Sequence, residues 1–188
     1  MAIRKPFGMP VIAERPMTAR DYFAMPDTEE RYELIEGRLV LMPSPTLDHQ
    51  DVLGQIFIVL RGVQDIHGGR AILAPADVEL GDKTVFQPDV FYIAPGGIAD
   101  ARDHVTGAPD LVVEVSSPST KTYDTRKKLP VYAMHGVREA WIVDPKRKTV
   151  TVHSAEGGRF VRAETVAFGE AIPSKVVEVG DAGLSRFA

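Results

Sequence analysis

The sequence predicts a mixed α/β fold, that is, an α+β arrangement in which helices flank a mixed sheet. Three observations support this class. One long segment has apolar residues at helical spacing, several short β-rich runs are bounded by Gly and Pro, and a second helical segment stands between two buried strands. Helices interleaved with strands favour packing against the faces of one sheet. With 188 residues and 44% hydrophobic content, the chain fits one domain with a substantial core.

The N-terminal part predicts a helix, a hairpin and a longer helix. A short helix is expected from Ala19 to Met25. Two β-rich runs within residues 31–42 flank Glu36-Gly37, a sequence typical of a hairpin turn. Asp48 is expected to cap a helix from about His49 to Val63, because apolar side chains recur there on one face. We divide the chain into residues 1–29, an arm with the short helix, and a single domain over 30–188.

The central part predicts strands and a second helix. Two strands are expected, from Arg70 to Leu80 and from Thr84 to Ile93, followed by an irregular loop from Gly96 to Ala108. The apolar run Leu111 to Val115 predicts a short buried strand, and Tyr123 to His135 predicts a helix.

The remaining elements are predicted from turn residues. Pro130 lies inside the second helical segment and predicts a kink or a later helix start. Strands are expected over Glu139 to Val143 and Thr149 to His153, then a hairpin beginning at Gly157-Gly158 and weak strands in the tail.

Composition excludes several classes of site. The chain has no Cys, so it can form neither disulfides nor thiolate metal sites. Any metal must be held by carboxylate, carbonyl or His groups, and the oxygen ligands favour hard cations such as Mg²⁺ or Mn²⁺. The sequence lacks an apolar signal-peptide core and any apolar run of membrane-spanning length, so we expect a cytoplasmic protein with no membrane partner.

Glu114 interrupts the buried strand and needs a partner, because an unpaired buried carboxylate costs several kcal/mol. It could belong to an ion pair or bind a metal. Asp89 is the first candidate to join it, because Pro88 creates a local irregularity that would aim the Asp89 carboxylate. An ordinary strand-entry turn is the alternative explanation of Asp89. Asp110 is a rival acid on the same face of the Glu114 strand, at its start.

Lys128 is the candidate cation. It shares a helix face with Asp124 and Tyr132 and could turn back towards Glu114, although a solvated ion pair with Asp124 is an alternative. Lys127 is a second possible site lysine. Two carboxylates and a lysine suit metal-assisted phosphodiester hydrolysis, in which the cation polarises the phosphate and activates water.

Two further residues are second-rank site candidates. Glu33 lies in the predicted hairpin, where edge or turn chemistry would also explain it, and His49 lies near a helix start, where it could be a surface or capping residue. Either side chain could complete the site. The other His residues lack ligand spacing, so a His-based zinc site is not expected.

A combination of six motifs resembles the Uma family of the restriction-endonuclease-like PD-(D/E)XK superfamily over roughly residues 30 to 155. The motifs are Tyr32-Glu33-Leu34-Ile35-Glu36-Gly37, Pro88-Asp89-Val90, Pro109-Asp110-Leu111-Val112-Val113-Glu114-Val115, Ser117-Pro118-Ser119-Thr120, Asp124 with Lys128 and Tyr132, and Gly136-Val137-Arg138-Glu139-Ala140-Trp141-Ile142-Val143-Asp144-Pro145.

The resemblance implies an αβββαβ core, with Asp89 and Glu114 as metal ligands and Lys128 as the catalytic lysine. The superfamily usually places its lysine two residues after the acid, where this chain has Ser116, so the resemblance requires a lysine on the following helix. The expected function is a Mg²⁺- or Mn²⁺-dependent endonuclease acting on DNA. The alternative is a catalytically silent, dimeric interaction module whose carboxylates form an ion pair with Lys128. We expect a homodimer from the hairpins and apolar strands at both ends.

Overall fold

The fold contains three α-helices and eleven strands in the residues that the computed structural model describes, which are 15–98, 103–116, 124–179 and 184. The elements are α1 Ala19–Phe23, β1 Tyr32–Ile35, β2 Arg38–Leu41, α2 Leu47–His67, β3 Arg70–Leu73, β4 Val78–Gly81, β5 Thr84–Phe86, β6 Val90–Ile93, β7 Val105–Thr106, β8 Leu111–Val115, a π-helical segment Asp124–Lys128, α3 Leu129–Met134, β9 Glu139–Asp144, β10 Thr149–Glu156 and β11 Arg159–Ala167.

The larger sheet has six strands in the order β11-β10-β9-β8-β6-β3. Strands β8 and β9 run parallel, and the other neighbours in this sheet are antiparallel. Reading along the chain, α2, β3, β6, β8, α3 and β9 form the αβββαβ core that the family resemblance implies. The expected fold class, mixed α+β with helices beside a mixed sheet, is therefore confirmed.

The smaller sheet has five strands in the order β2-β1-β5-β4-β7. Its hairpin, β1 with β2, confirms the turn expected at Glu36-Gly37. Both turn residues have positive φ, 49° at Glu36 and 80° at Gly37, as a tight hairpin turn requires. Helix α1 packs on this sheet through the buried side chains of Ala19 and Tyr22.

Two strand predictions were wrong in the same way. The expected strand from Arg70 to Leu80 is divided into β3 and β4, and the expected strand from Thr84 to Ile93 is divided into β5 and β6. Each break contains a proline, Pro75 or Pro88, which lacks the amide hydrogen that a sheet ladder needs. At each break the chain leaves one sheet and enters the other, so β4 and β5 belong to the smaller sheet.

Helix α2 also differs from its predicted bounds. Thr46 caps it, because the Thr46 hydroxyl accepts a hydrogen bond of 3.2 Å from the amide of His49, and Asp48 lies inside its first turn. The helix continues to His67, where Gly68 ends it with a φ of 78°. Its buried side chains share the expected face; they are Val52, Leu53, Ile56, Leu60 and Val63.

The other boundaries differ in smaller ways. Helix α1 ends at Phe23, two residues before the predicted Met25. The predicted loop from Gly96 to Ala108 contains β7, which pairs with β4 in parallel. The later start expected at Pro130 is confirmed, because α3 begins at Leu129 after the π-helical segment. Tyr123, the predicted helix start, lies outside the described residues. Residues 168–179 contain no strand, contrary to prediction.

Two apolar layers cover the faces of the larger sheet. Helix α2 and the described C-terminal residues fill the first layer. The smaller sheet and α3 fill the second, so side chains of β1 and β8 face the same interior. None of the helices in the described ranges has the length and apolarity needed to cross a bilayer.

Candidate active site

Two carboxylates from facing sheets meet at one lysine. Glu33 shares a face of β1 with Ile35, and Glu114 shares a face of β8 with Val112, so strand alternation directs both glutamates into the layer between the sheets. Lys128 Nζ lies 2.8 Å from Glu33 Oε1 and 3.1 Å from Glu114 Oε1. All three residues are buried, with exposures of 0% for Glu33, 3% for Glu114 and 2% for Lys128.

Aromatic residues surround this ion triad, defined as Glu33, Glu114 and Lys128. The Tyr132 hydroxyl, one helical turn after Lys128, donates a hydrogen bond of 2.6 Å to Glu114 Oε1. Lys128 Nζ also lies 5.6 Å from the centre of the Phe86 ring, within cation–π range. Water is largely excluded here, which strengthens the attraction between the charges and raises the cost of removing any one of them.

Asp89 takes part in a second polar unit beside the triad. Its Oδ2 accepts a hydrogen bond of 2.8 Å from the amide of Val115 and lies 3.1 Å from Nε2 of His49. The register of β6 and β8 pairs Val90 with Val113, and continuing it by one residue puts Asp89 beside Glu114. The two residues predicted as metal ligands therefore lie beside each other, Asp89 directly before β6 and Glu114 within β8.

His49 reaches this unit from the first turn of α2. Burial alone would lower the pKa of His49, but its hydrogen bond to Asp89 and the charge of that carboxylate outweigh burial, so the pKa is raised. The Nδ1 atom of His49 is buried and has no hydrogen-bond partner among the described residues. Asp89 therefore favours the protonated form of the His49 imidazole over the neutral form.

A polar network supports the triad from the smaller sheet. The backbone amide of Gln87 donates a hydrogen bond of 2.9 Å to Glu33 Oε1. The Gln87 side chain donates to Asp77 and accepts from Arg31 Nε, and Asp77 also accepts from the Tyr22 hydroxyl. Burial is the largest cause that raises the pKa of Tyr22 far above its usual range, and the charge of Asp77 and its hydrogen bond to Tyr22 act in the same direction. Sequence reasoning missed Gln87 and Asp77. The available signal for Gln87 was its position directly before Pro88.

The rival candidates lie elsewhere in the structure. Asp110, the rival acid directly before β8, forms an ion pair of 3.0 Å with Arg138 and accepts a hydrogen bond from the Ala94 amide. Lys128, not Lys127, is the lysine at Glu114, and Lys127 is only half-buried. Ser116, at the superfamily's usual lysine position, donates its amide to the Val143 carbonyl.

The donor set suits a hard cation bound with few protein ligands. Both polar contacts of Asp89 use Oδ2, so its Oδ1 receives no hydrogen bond from any residue that the structure describes. Within the same residues, no three His, Asp or Glu side chains form a group able to hold a metal. Mg²⁺ commonly binds through one or two carboxylates and takes its other ligands from water and phosphate. Asp89 and Glu114 fit that mode of binding.

Comparisons with known proteins agree on the family and the fold. A family model described as "Uma2: Putative restriction endonuclease" matches residues 19–183. No curated protein gives a significant match. A crystal structure described as a putative nuclease belonging to DUF820, from Anabaena variabilis, is similar with a TM-score of 0.75; the match covers 92% of this chain and 100% of that one. At 22% identity, this likeness shows the fold alone.

Proposed function

The chain belongs to the Uma2 family, described as putative restriction endonucleases, and we propose that it is a metal-dependent endonuclease that hydrolyses phosphodiester bonds in DNA. One observation carries the proposal. Asp89, directly before β6, stands beside Glu114 of β8, and a buried lysine contacts Glu114 at 3.1 Å. This arrangement combines the oxygen ligands and the positive charge that phosphodiester hydrolysis uses.

The carboxylates have distinct roles in this proposal. Asp89 offers its Oδ1 oxygen to Mg²⁺ or Mn²⁺, while His49 and the Val115 amide hold Oδ2 and fix the orientation of the carboxylate. Glu114 supplies the second ligand. A divalent cation bound there would polarise the scissile phosphate and lower the pKa of a water molecule.

Lys128 and Glu33 complete the proposed site. Lys128 Nζ contacts both glutamates, so it balances their charge and orients Glu114. In this proposal, its ammonium also stabilises the negative charge that develops on the phosphate during the reaction. The backbone amide of Gln87 holds the Glu33 carboxylate in place, and Glu33 in turn fixes the position of Lys128. Side chains fixed in this way on strands give the precision that catalysis requires.

Thermal melts with and without Mn²⁺ test the metal site. We expect Mn²⁺ to raise the melting temperature of the wild type and to have little effect on Asp89→Asn or Glu114→Gln. A ligand at one hundred times its dissociation constant stabilises a native state by about 2.7 kcal/mol, which such a melt detects easily. Glu156→Gln is the matched control, because Glu156 is an exposed carboxylate at the end of β10.

DNA cleavage tests the reaction itself. With Mg²⁺ or Mn²⁺ present, wild type and Glu156→Gln should cleave DNA, whereas Asp89→Asn and Glu114→Gln should lose about a hundredfold or more of the rate. Circular dichroism must show that both site variants remain folded. Equal cleavage by wild type and Glu114→Gln would refute the assignment of the site.

The second candidate is a catalytically silent interaction module. The nearly complete burial of Lys128 between Glu33 and Glu114 favours it, because such a triad can be a purely structural ion cluster. On this alternative, neither Mg²⁺ nor Mn²⁺ stabilises the wild type, with or without DNA, and no cleavage is detected. Both candidates require Lys128 for stability, so the response to metal distinguishes them.

A further inference from the structure

The outer edge of the larger sheet is long, and no further strand pairs with it in the part of the chain that the structure describes. Strand β11 is its last strand and, within the described part of the chain, pairs along one edge only, with β10. All nine residues from Arg159 to Ala167 are exposed or half-buried. Native proteins usually protect such an edge with charged side chains, prolines, bulges or a covering element, since free amides and carbonyls can pair with another strand. The charged residues of β11, which include Arg162 and Glu164, have both signs, so they do not exclude pairing with a second copy of the same strand. The sequence of β11 contains neither lysine nor proline.

Two hydrogen bonds show which backbone groups of β11 point outwards. The Phe168 amide donates to the Lys148 carbonyl at 2.8 Å, and the Ala155 amide donates to the Arg138 carbonyl at 2.9 Å. Hydrogen-bonded pairs alternate along antiparallel strands, so both bonds direct the even-numbered residues of β11 towards β10. The amides and carbonyls of Ala163 and Thr165 therefore point away from the sheet.

The side chains of β11 are complementary to a reversed copy of the same strand. Two antiparallel copies of β11 that are related by a two-fold axis at its central residue, Ala163, place opposite charges together beside the axis. The pairs are Arg162 with Glu164 and Ala163 with Ala163 of the second copy. A β-bulge interrupts β11 at Val161, because Arg162 pairs with Ser154 while Phe160 pairs with Ala155, so the regular pairing around the axis covers Arg162 to Glu164.

We propose that β11 is a dimerisation strand, which pairs antiparallel with β11 of a second copy of this chain around a two-fold axis at Ala163. The axis joins the outward-pointing groups of Ala163 to those of Ala163 in the second copy, as a hydrogen-bonded antiparallel pair. The two larger sheets become one continuous sheet of twelve strands. This interface lies outside the proposed nuclease site and does not depend on that function.

Charge selects the register of this pairing. Arg162 and Glu164 already form an exposed ion pair, with Nη2 and Oε2 2.5 Å apart. In the dimer, each Arg162 also faces Glu164 of the second copy, so four alternating charges surround the axis. A parallel pairing in register would instead set Arg162 against Arg162, which is unfavourable.

Cysteine cross-linking tests the axis directly, because the natural chain contains no Cys. Opposed residues of a hydrogen-bonded pair have Cα atoms about 5.5 Å apart, within disulfide range. Ala163→Cys should therefore form a covalent dimer on oxidation. Thr165→Cys is the matched control: it is exposed on the same strand face, but its mate in the second copy lies roughly 14 Å away, four residues along the strand.

Charge reversal tests the register by sedimentation or light scattering. Arg162→Glu and Glu164→Arg should each weaken dimerisation by about tenfold or more, because like charges then face each other. An equimolar mixture of the two variants should form heterodimers, and Arg61→Glu on α2 is the control for net charge. A monomeric wild type at every concentration, equal cross-linking of both cysteine variants, or a dimer indifferent to both reversals would overturn the proposal.

Discussion

The replacement Lys128→Met tests whether the ion triad holds the two sheets together. Methionine has a similar length and shape, so the change removes the positive charge with little loss of packing. Glu33 and Glu114 are then left as buried carboxylates without the ammonium that lies 2.8 and 3.1 Å from their oxygens. We therefore expect a large loss of stability from a single substitution.

The burial of the triad sets the magnitude. Breaking a buried ion pair costs about 3–5 kcal/mol, because the remaining charge keeps its desolvation penalty. Lys128 is 2% exposed and contacts two glutamates, so the effect should fall in that range. For a chain of this size, 1 kcal/mol changes the melting temperature by about 2–4 °C, which predicts a decrease of roughly 6–20 °C.

Urea unfolding followed by tryptophan fluorescence measures this loss. The chain has one tryptophan, Trp141, which is 1% exposed and donates a hydrogen bond of 2.8 Å to buried Glu139. Its emission therefore reports the opening of the core. The free energies of unfolding of wild type and Lys128→Met are compared at one pH and one ionic strength.

Two controls distinguish the lost charge from a local helix effect. Lys127→Met changes the neighbouring, half-buried lysine and should cost less than about 1 kcal/mol. The triple variant Glu33→Gln, Lys128→Met, Glu114→Gln removes all three charges and should recover more than about half of the loss. If Lys128→Met is within about 1 kcal/mol of the wild type, the triad does not stabilise this fold and the reasoning is refuted.

Two further changes test a hydrogen bond of the ion triad and the effect of burial on a histidine of β10. Tyr132→Phe removes the hydroxyl that donates 2.6 Å to Glu114 and should cost about 1.5–3 kcal/mol in urea unfolding; an unchanged midpoint would exclude this hydrogen bond as a stabilising contact. Burial lowers the pKa of His153, so folding favours its neutral form. Its contribution is therefore present above the unfolded pKa near 6.5 and is lost as the pH falls towards the folded value. Melts from pH 8 to pH 5 should show a steeper loss in the wild type than in His153→Gln, and parallel curves would contradict this.

Local sequence signals identified much of the core, because they depend on neighbouring residues. Hydrophobic spacing gave the buried face of α2, and the paired turn residues gave the hairpin of β1 and β2. A charged residue within an apolar run singled out Glu114, which indeed has a buried partner in Lys128. Each of these patterns lies within a few residues of the feature that it predicts.

Contacts between elements that are distant in the sequence could not be predicted from local patterns. Glu33 reaches Lys128 because the smaller sheet packs on the larger one, and no periodicity in β1 indicates that packing. The same limit applies to the passage of the chain between sheets. The prolines marked irregular positions, but a proline break does not specify which sheet the next strand joins. The predicted strands were consequently merged across Pro75 and Pro88.

The break at Gln87-Pro88-Asp89 explains how the two polar units of the site come together. It follows β5 of the smaller sheet and precedes β6 of the larger one, so its two ends belong to different sheets. On one side, the backbone amide of Gln87 donates a hydrogen bond to Glu33. On the other side, the Asp89 carboxylate contacts His49 and accepts a hydrogen bond from the backbone amide of Val115. A regular strand through Pro88 would keep Gln87 and Asp89 in one sheet and separate these units. The strand break that was wrongly predicted as part of a continuous strand is therefore the feature that brings the candidate site together.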